Sequence, residues 1–367
     1  MKFSCREVRR KAIFANVLMT LLMFASTAIF SAAEGAPARL DPALWTPALQ
    51  RASELPRLRS LLISIDGERI EERYFHGAHA SQPANLKSAS KSVLSALVGV
   101  AIERGYLTSV NDPIGSFFAG QITGADAARK QAITIEDLLT MRAGLESTSS
   151  VNYGNWVQSR NWVAQALARP LVEEPGGRMI YSTGNSHLLS AALTKATGMT
   201  TFEFARRHLA GPLGVALQPW MRDPQGIYFG GNEMRWTPRA MLAFGELYLN
   251  GGRVNGKRVV SEAWIKESWK PRARSSWSGR EYGYGWWIDT LAGHPAYYAW
   301  GHGGQFIFVI PDVKLVVAIT SSPIPGDGRR EHQRALYDLI EQDLIPAVER
   351  LRSPRKFDFN ALRGESL

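Results

Sequence analysis

Ser88 and Lys91 are the two residues whose types and spacing most directly suggest covalent chemistry. They begin and end the segment Ser88-Ala89-Ser90-Lys91, and residues three positions apart lie on the same side of a helix. A lysine in apolar surroundings is disfavoured as a cation, so its pKa falls and it can accept the serine proton. The pair is also compatible with a helix N-cap serine beside a surface lysine.

The segment that carries this pair predicts a buried helix. Over residues 88–104 apolar side chains recur at helical spacing, and Gly105 marks the end. Its first turns carry no charged residue other than Lys91, which favours the catalytic interpretation. A second Ser-x-x-Lys, at residues 353–356, contains a proline and lies in a polar tail, which argues against a catalytic role there.

Tyr181 is the next candidate, at the end of a loop that contains Gly176 and Gly177. A phenol beside a lysine ammonium can have a lowered pKa and can pass protons to a leaving group. A partly buried structural tyrosine is the alternative interpretation.

A glycine-rich segment at residues 300–306 leads into a predicted strand. It reads Trp300-Gly301-His302-Gly303-Gly304-Gln305-Phe306. Glycines let a strand edge approach a substrate closely because they carry no side chain. A backbone N–H of this segment could complete an oxyanion hole together with the N–H of Ser88.

Strands near both ends of the chain, with helices between them, must position these residues. Residues 59–75 predict two strands around Asp66-Gly67, which is a strong hairpin signal. The middle of the chain is mostly helical in pattern, with one helix predicted over residues 156–168. Further strands and a last amphipathic helix are predicted at residues 284–289, 297–300, 306–310, 315–320 and 330–350.

This order of elements predicts an α+β fold of the α/β sandwich type. An antiparallel sheet with packed helices would be formed by residues 34–105 and 236–367, and a mainly helical domain, residues 106–235, would be inserted into it.

Residues 1–33 have the three parts of a signal peptide. Basic residues precede an apolar run, and Ser31 and Ala33 stand where a signal peptidase would cleave. We expect export to the periplasm or secretion, with an uncleaved anchor as the alternative because the run is close to the length of a membrane span. Cys5, the only cysteine, precedes the run, so cleavage would leave no thiol nucleophile and no disulfide.

Composition and motifs exclude several other classes. The formal net charge is +10, but the basic residues are scattered, so we expect neither a nucleic-acid partner nor membrane contact beyond the leader. The sequence contains no Gly-x-Ser-x-Gly, His-Glu-x-x-His, P-loop or dinucleotide motif, which argues against an α/β-hydrolase, a zinc enzyme and a nucleotide-binding protein. No metal or organic cofactor is implied, and the oligomeric state stays open.

The three candidate segments, in this order, resemble the serine β-lactamase and penicillin-binding-protein superfamily, specifically its class C-like branch. The resemblance covers roughly residues 61–341. That branch includes class C β-lactamases, D-alanyl-D-alanine carboxypeptidases, β-lactamase-like esterases and 6-aminohexanoate-dimer hydrolases. The resemblance implies that Ser88 is the acylated nucleophile, Lys91 its base and Tyr181 a second proton-transfer residue. It also implies that the N–H groups of Ser88 and Gln305 form the oxyanion hole.

Departures from the family pattern narrow the expected substrate. His302, Gly303 and Gly304 take the place of the Lys-Thr-Gly triad, whose lysine and threonine engage the carboxylate of penicillins and peptide termini. Thr183 stands where the second motif often has asparagine. These departures favour an ester or small-amide substrate of the 6-aminohexanoate-dimer type over a β-lactam or a peptide terminus. In that subgroup a further tyrosine contacts the substrate amide, and Tyr153 is the candidate here.

A protein of a different class also stays open at this stage. A non-catalytic receptor on the same fold would bind cell-wall peptide or a protein partner without turnover. The joint presence of Ser88, Lys91 and Tyr181 argues against it, because a binding protein has no need of all three.

Overall fold

An eight-stranded antiparallel sheet is the largest element of the computed structural model, which describes residues 42–353. The strands, in chain order, are β1 Leu58–Ile65, β2 Glu68–Tyr74, β3 Ala84–Asn85, β4 Arg235–Trp236, β5 Arg253–Val254, β6 Lys257–Arg258, β7 Ala273–Arg274, β8 Glu281–Tyr282, β9 Trp287–Leu291, β10 His294–Gly301, β11 Gln305–Ile310 and β12 Leu315–Ser321. The sheet has the order β2-β1-β12-β11-β10-β9-β8-β7, while β3 pairs with β4 and β5 with β6. The first hairpin is therefore bonded to the last strand.

Helices precede, separate and follow these strands. In chain order they are α1 Thr46–Ser53, α2 Ser90–Glu103, α3 Gly115–Phe118, α4 Ala127–Gln131, α5 Ile135–Leu139, α6 Tyr153–Val157, α7 Trp162–Leu167, α8 Thr183–Thr197, α9 Thr201–Ala205, α10 Gly211–Leu213, α11 Pro238–Leu249, α12 Glu262–Ser268, α13 Arg329–Asp338 and α14 Ile345–Arg352. A π-helical turn, Leu339–Leu344, joins the last two, so the predicted final helix is present but locally widened.

Strands β11 and β12 are buried along their whole length because helices cover both faces of the sheet. Side chains alternate between the two faces of a strand. On one face α11 packs so closely that a Cβ on Gly245 would lie 2.4 Å from a methyl of Val316. On the other face Phe306 contacts the ring of Tyr337 in α13, with 5.4 Å between ring centroids. Burial on both sides explains why these strands are continuous apolar runs.

The predicted α+β architecture and hairpin are confirmed. Strands β1 and β2 pair around Asp66-Gly67, and the three strands predicted last in the chain correspond to β10, β11 and β12. The strand predicted over residues 284–289 begins only at Trp287. Gly285 has φ +75°, and its carbonyl accepts a 2.6 Å hydrogen bond from Ser92 in α2, which holds this turn against the helix.

The prediction of a single helix over residues 156–168 is wrong, because two helices, α6 and α7, occupy that stretch. The Asn161 side chain accepts the N–H of Ala164 and caps the second helix. The carbonyl of Val157 accepts the indole N–H of Trp162, and the carbonyl of Trp162 accepts that of Trp156. The first of these bonds satisfies the carbonyl of Val157, which ends α6 and therefore lacks a partner within that helix.

The middle of the chain is helical, as its pattern predicted: α3 to α10 lie between Gly115 and Leu213, and α8 packs on α2. The division into domains at residues 105 and 235 stays a prediction. The leader with Cys5, and most of the second Ser-x-x-Lys, lie outside the described residues. Within residues 42–353, none of the helices has the length and apolar character needed to cross a membrane.

Candidate active site

Ser88 lies in a tight turn, Lys87–Ala89, directly before α2. The sequence predicted a helix from residue 88, but regular α-helix begins only at Ser90. Lys87 adopts a left-handed φ of +50°, its N–H is held by Asn85 Oδ1 at 2.9 Å, and Ser90 Oγ donates to its carbonyl at 2.7 Å. This constrained turn leaves Ser88 partly exposed at the surface.

Lys91 is buried one turn further along, with only 3% of its surface exposed. Its Nζ lies 3.1 Å from Ser88 Oγ, 2.9 Å from the carbonyl oxygen of Gly231 and 3.5 Å from Thr183 Oγ1. Burial disfavours the ammonium and lowers the pKa of Lys91 to about 7. The neutral amine is therefore well populated near neutral pH and can accept a proton from Ser88.

Tyr181 completes a cluster with Ser88 and Lys91, and the Ser88 hydroxyl is close enough to influence the pKa of its phenol. Lys91 Nζ lies 5.1 Å from the centre of the Tyr181 ring, which stacks on Trp287 at 6.0 Å. Burial raises the pKa of Tyr181 to about 12, while the Ser88 hydroxyl opposes that shift. The expectation of a lowered phenol pKa is therefore wrong, because desolvation of the phenolate outweighs stabilisation by its neighbours. Tyr181 is therefore protonated at neutral pH.

The glycine-rich segment before β11 lies beside the turn that holds Ser88. A Cβ on Gly301 would lie 2.1 Å from the carbonyl oxygen of Leu86, so β10 and this turn touch through their backbones. Gly303 and Gly304 have φ of +86° and +100°. A Cβ on either would meet atoms of residues 321–323 at 2.9 Å, so packing within the chain itself demands these two glycines.

His302 and Gln305 flank those glycines and have different environments. His302 is exposed, and its Nε2 lies 3.3 Å from Arg329 Nη1. Desolvation of the part of the His302 ring that packs against the chain, together with the charges of Arg329 and Lys87, lowers the pKa of His302. The Gln305 side chain is buried and donates to the carbonyl of Ser321 at 2.7 Å, so this side chain is already engaged within the chain.

Tyr153 is half-buried at the start of α6, and its hydroxyl accepts a 2.8 Å hydrogen bond from Asn232 Nδ2. Its ring stacks on Phe229 at 6.4 Å. Asn232 directly follows Gly231, whose carbonyl contacts Lys91. Tyr153 is thus connected to the cluster through the loop at residues 229–233.

Sequence reasoning missed an ion pair between Lys87 and Glu233, at 2.9 Å. Glu233 also accepts from Asn85 Nδ2 at 2.6 Å. The pair joins the turn of Ser88 to the loop that contacts Lys91, across 146 positions of the chain. The Gly230-Gly231 doublet was the one local signal for this loop, because paired glycines indicate close backbone approach.

An aromatic wall extends from Tyr181 towards solvent. Trp287 and Trp300 lie 5.3 Å apart, and Trp277 packs on both at 5.6 and 5.5 Å while remaining 60% exposed. A cavity of about 410 Å³ beside this wall is lined by residues that include Tyr181, Trp277 and the 92% exposed Val151. Such exposed apolar groups around a cavity are typical of ligand sites.

Acidic and imidazole side chains do not converge at this site as metal ligands do. In residues 42–353 no group of three or more His, Cys, Asp or Glu side chains is arranged to hold a metal ion.

The family model described as Beta-lactamase matches residues 59–341, so the chain belongs to the beta-lactamase family, whose members are generally hydrolytic. The fold described above is the β-lactamase-like fold.

Solved structures with the same fold carry several hydrolase descriptions. A putative 6-aminohexanoate-dimer hydrolase from Bacillus anthracis has a TM-score of 0.68 and 18% identity, over 83% of this chain and 81% of its own. A D-stereospecific amidohydrolase from Streptomyces sp. has a TM-score of 0.62 and 18% identity, over 83% and 99%. EstCE1, a hydrolase with promiscuous acyltransferase activity, has a TM-score of 0.63 and 18% identity, over 82% and 98%. At these identities the similarity shows the fold alone.

Proposed function

We propose that this protein is a serine hydrolase that cleaves an ester or a small amide through an acyl-enzyme on Ser88. The observation that carries the proposal is the 3.1 Å contact between Ser88 Oγ and the buried Nζ of Lys91. A buried lysine with a pKa of about 7 has no evident structural purpose, since burial of its charge costs free energy. Beside a serine hydroxyl it is an activating base.

The proposed reaction has two acyl-transfer steps. Ser88 Oγ attacks the substrate carbonyl carbon, and its proton passes to the neutral amine of Lys91. The backbone N–H groups of Ser88 and Gln305 stabilise the oxyanion. The tetrahedral intermediate expels the alcohol or amine, which takes a proton from Tyr181, and Lys91 returns its proton to Tyr181. Water then attacks the acyl-enzyme, its proton passes to Lys91, and Ser88 leaves protonated by that lysine.

Esters and small amides are favoured over lactams by the residues beside β11. His302 and Gly303 replace the lysine and threonine that engage a substrate carboxylate in the related β-lactamases and carboxypeptidases. His302 has a lowered pKa, so it is neutral at pH 7 and offers no fixed charge to an anion. We place Tyr153, His302, Gly303 and Gly304 at the substrate, and residues 1–33 as a signal for export to the periplasm or medium.

A fluorophosphonate probe and intact-mass spectrometry test the proposal. The wild type should gain one adduct, Ser88→Ala should gain none, and Ser353→Ala is the matched control because Ser353 begins the second Ser-x-x-Lys. In a separate assay, the unlabelled wild type should turn over 4-nitrophenyl acetate or 6-aminohexanoate dimer. A folded wild type that forms no adduct would reject the proposal and favour the non-catalytic receptor. Turnover confined to nitrocefin would instead favour a β-lactamase.

A further inference from the structure

A histidine and an aspartate are buried together behind Lys91, and the reaction above does not use them. His187 is 0% exposed and Asp223 5%, and His187 Nε2 lies 2.9 Å from Asp223 Oδ2. Asp223 Oδ1 accepts the N–H groups of Gln225 and Ile227 at 2.9 and 2.8 Å. Burial of ionisable side chains away from water costs desolvation free energy, which hydrogen bonds must offset. The pair therefore calls for a functional explanation.

The hydrogen bonds of His187 define its tautomer. Its Nδ1 accepts the N–H of Gly230 at 3.3 Å, so this nitrogen carries no proton and Nε2–H donates to Asp223. Burial lowers the pKa of His187, although Asp223 acts in the opposite direction, so the ring is neutral. Trp156, Trp162 and Phe229 surround the imidazole, with ring centroids 5.3 to 5.9 Å away.

Two consecutive residues, Gly230 and Gly231, connect this pair to Lys91 through their backbone groups. Gly230 bonds His187, and the carbonyl of the next residue, Gly231, accepts Lys91 Nζ at 2.9 Å. A Cβ on Gly230 would lie 2.1 Å from the carbonyl oxygen of Ser186, and one on Gly231 would lie 2.7 Å from Lys91 Cγ. Both glycines are thus pressed between α8 and Lys91, and a shift of the loop must change the contacts of Lys91.

We propose that His187 and Asp223 are positioning residues for Lys91: they hold the N–H of Gly230 and thereby place the carbonyl of Gly231 against the lysine amine. This inference rests on the proposed function, since it concerns the geometry of the base. Asp223 sets the tautomer, His187 holds the loop, and Gly231 orients the Nζ that faces Ser88.

Asp223→Asn is the sharpest test, because it preserves shape and reverses one hydrogen bond. With its oxygen still bound to the N–H groups of Gln225 and Ile227, the new amide presents NH₂ to His187 Nε2. That nitrogen must then accept, Nδ1 must carry the proton, and two donors oppose each other at Gly230. We expect the midpoint of the pH profile for fluorophosphonate labelling of Ser88 to move by about half a unit or more, and the rate at pH 7 to fall about 10-fold.

Asp112→Asn is the matched control, since Asp112 also accepts backbone N–H groups, from Thr108 and Ser109. It should keep the wild-type midpoint. If circular dichroism shows Asp223→Asn to be unfolded, His187→Gln replaces it, because glutamine can donate to Asp223 but offers no acceptor at the Nδ1 position.

The midpoint decides the outcome. A folded variant whose midpoint matches the wild type overturns the positioning role, even if its rate falls, because Lys91 would then be unaffected. If the wild-type protein is never labelled at Ser88, the proposed function is overturned, and the positioning role is overturned with it.

Discussion

Lys91 gives the proposed reaction a defined pH dependence. Its neutral amine is the active form and its pKa is about 7, so kcat/KM should rise with pH through neutrality and level off above about pH 8. Lys91→Met should lower kcat/KM about 10³-fold and remove this rise, because methionine fills the space but binds no proton. Initial rates with a neutral ester between pH 5 and 9 check both statements. An unchanged rise in Lys91→Met would assign it to another group.

Substitution of Tyr181 can distinguish a role in proton donation from a role in substrate binding. Its pKa near 12 leaves the phenol protonated, so Tyr181→Phe removes a donor and little volume. We expect kcat for a poor leaving group, such as an alkyl alcohol, to fall about 10²-fold, with a smaller loss for 4-nitrophenol, which needs no proton. Tyr282→Phe is the control, since Tyr282 is a buried tyrosine that contacts the Tyr181 ring at 6.3 Å. Equal losses for both leaving groups would contradict the donor role.

Strand β10 must lie against the Ser88 turn for the oxyanion hole to exist. Because a Cβ on Gly301 would lie 2.1 Å from the Leu86 carbonyl oxygen, Gly301→Ala must push the strand and the turn apart. We expect kcat/KM to fall at least about 10²-fold, as for loss of one oxyanion donor. Gly120→Ala is the control, since a Cβ there meets nothing within 4 Å. Steady-state rates on variants checked by circular dichroism decide it, and near wild-type activity of Gly301→Ala would refute the contact.

The loop between β7 and β8 contributes Trp277, the most exposed ring of the aromatic wall. Trp277→Ala should lower kcat/KM for 2-naphthyl acetate about 10-fold, because a flat substrate group loses apolar contact. Ethyl acetate, which is too small to reach the wall, should be affected less. Met221→Ala, another exposed apolar side chain, serves as the control. Equal effects on both esters would show that the wall does not contact the substrate.

Much of the fold could be predicted because local pattern and tertiary environment agree. Asp66-Gly67 specifies a hairpin by turn chemistry, and Gly198 ends α8 in a left-handed conformation. The helix break before Asn161 was missed because propensity is averaged over a window, whereas one capping side chain decides the break.

The candidate site was only partly predictable, because its remaining contacts are distant in the chain. Ser88 and Lys91 are three positions apart, so helix geometry alone brings them together. The carbonyl that binds Lys91 is 140 positions away, and the acid that binds Lys87 is 146 away. No local pattern encodes such pairs. The direction of the Tyr181 pKa shift was missed for a related reason: desolvation depends on everything packed around the ring.

Burial of Lys91 should lower the free energy of unfolding of the whole protein at neutral pH. The pKa of this lysine is about 7 in the folded protein, against an ordinary value of 10.5 for a lysine exposed to water. Between these values the unfolded chain binds more protons than the native one, so the free energy of unfolding must rise with pH. From pH 7 to pH 9 this single group contributes a rise of about 2 kcal/mol.

Lys91→Met isolates that contribution, because every other titrating group is common to both proteins. Urea unfolding of wild type and variant at pH 7, 8 and 9 should show the wild type gaining stability relative to the variant as the pH increases. The variant should be the more stable protein at pH 7, where the wild type still bears part of the cost of a buried ammonium. If the difference in the free energy of unfolding between wild type and variant stays constant across this pH range, Lys91 titrates normally in the folded protein. Its amine would then be protonated at neutral pH and could not act as the proposed base.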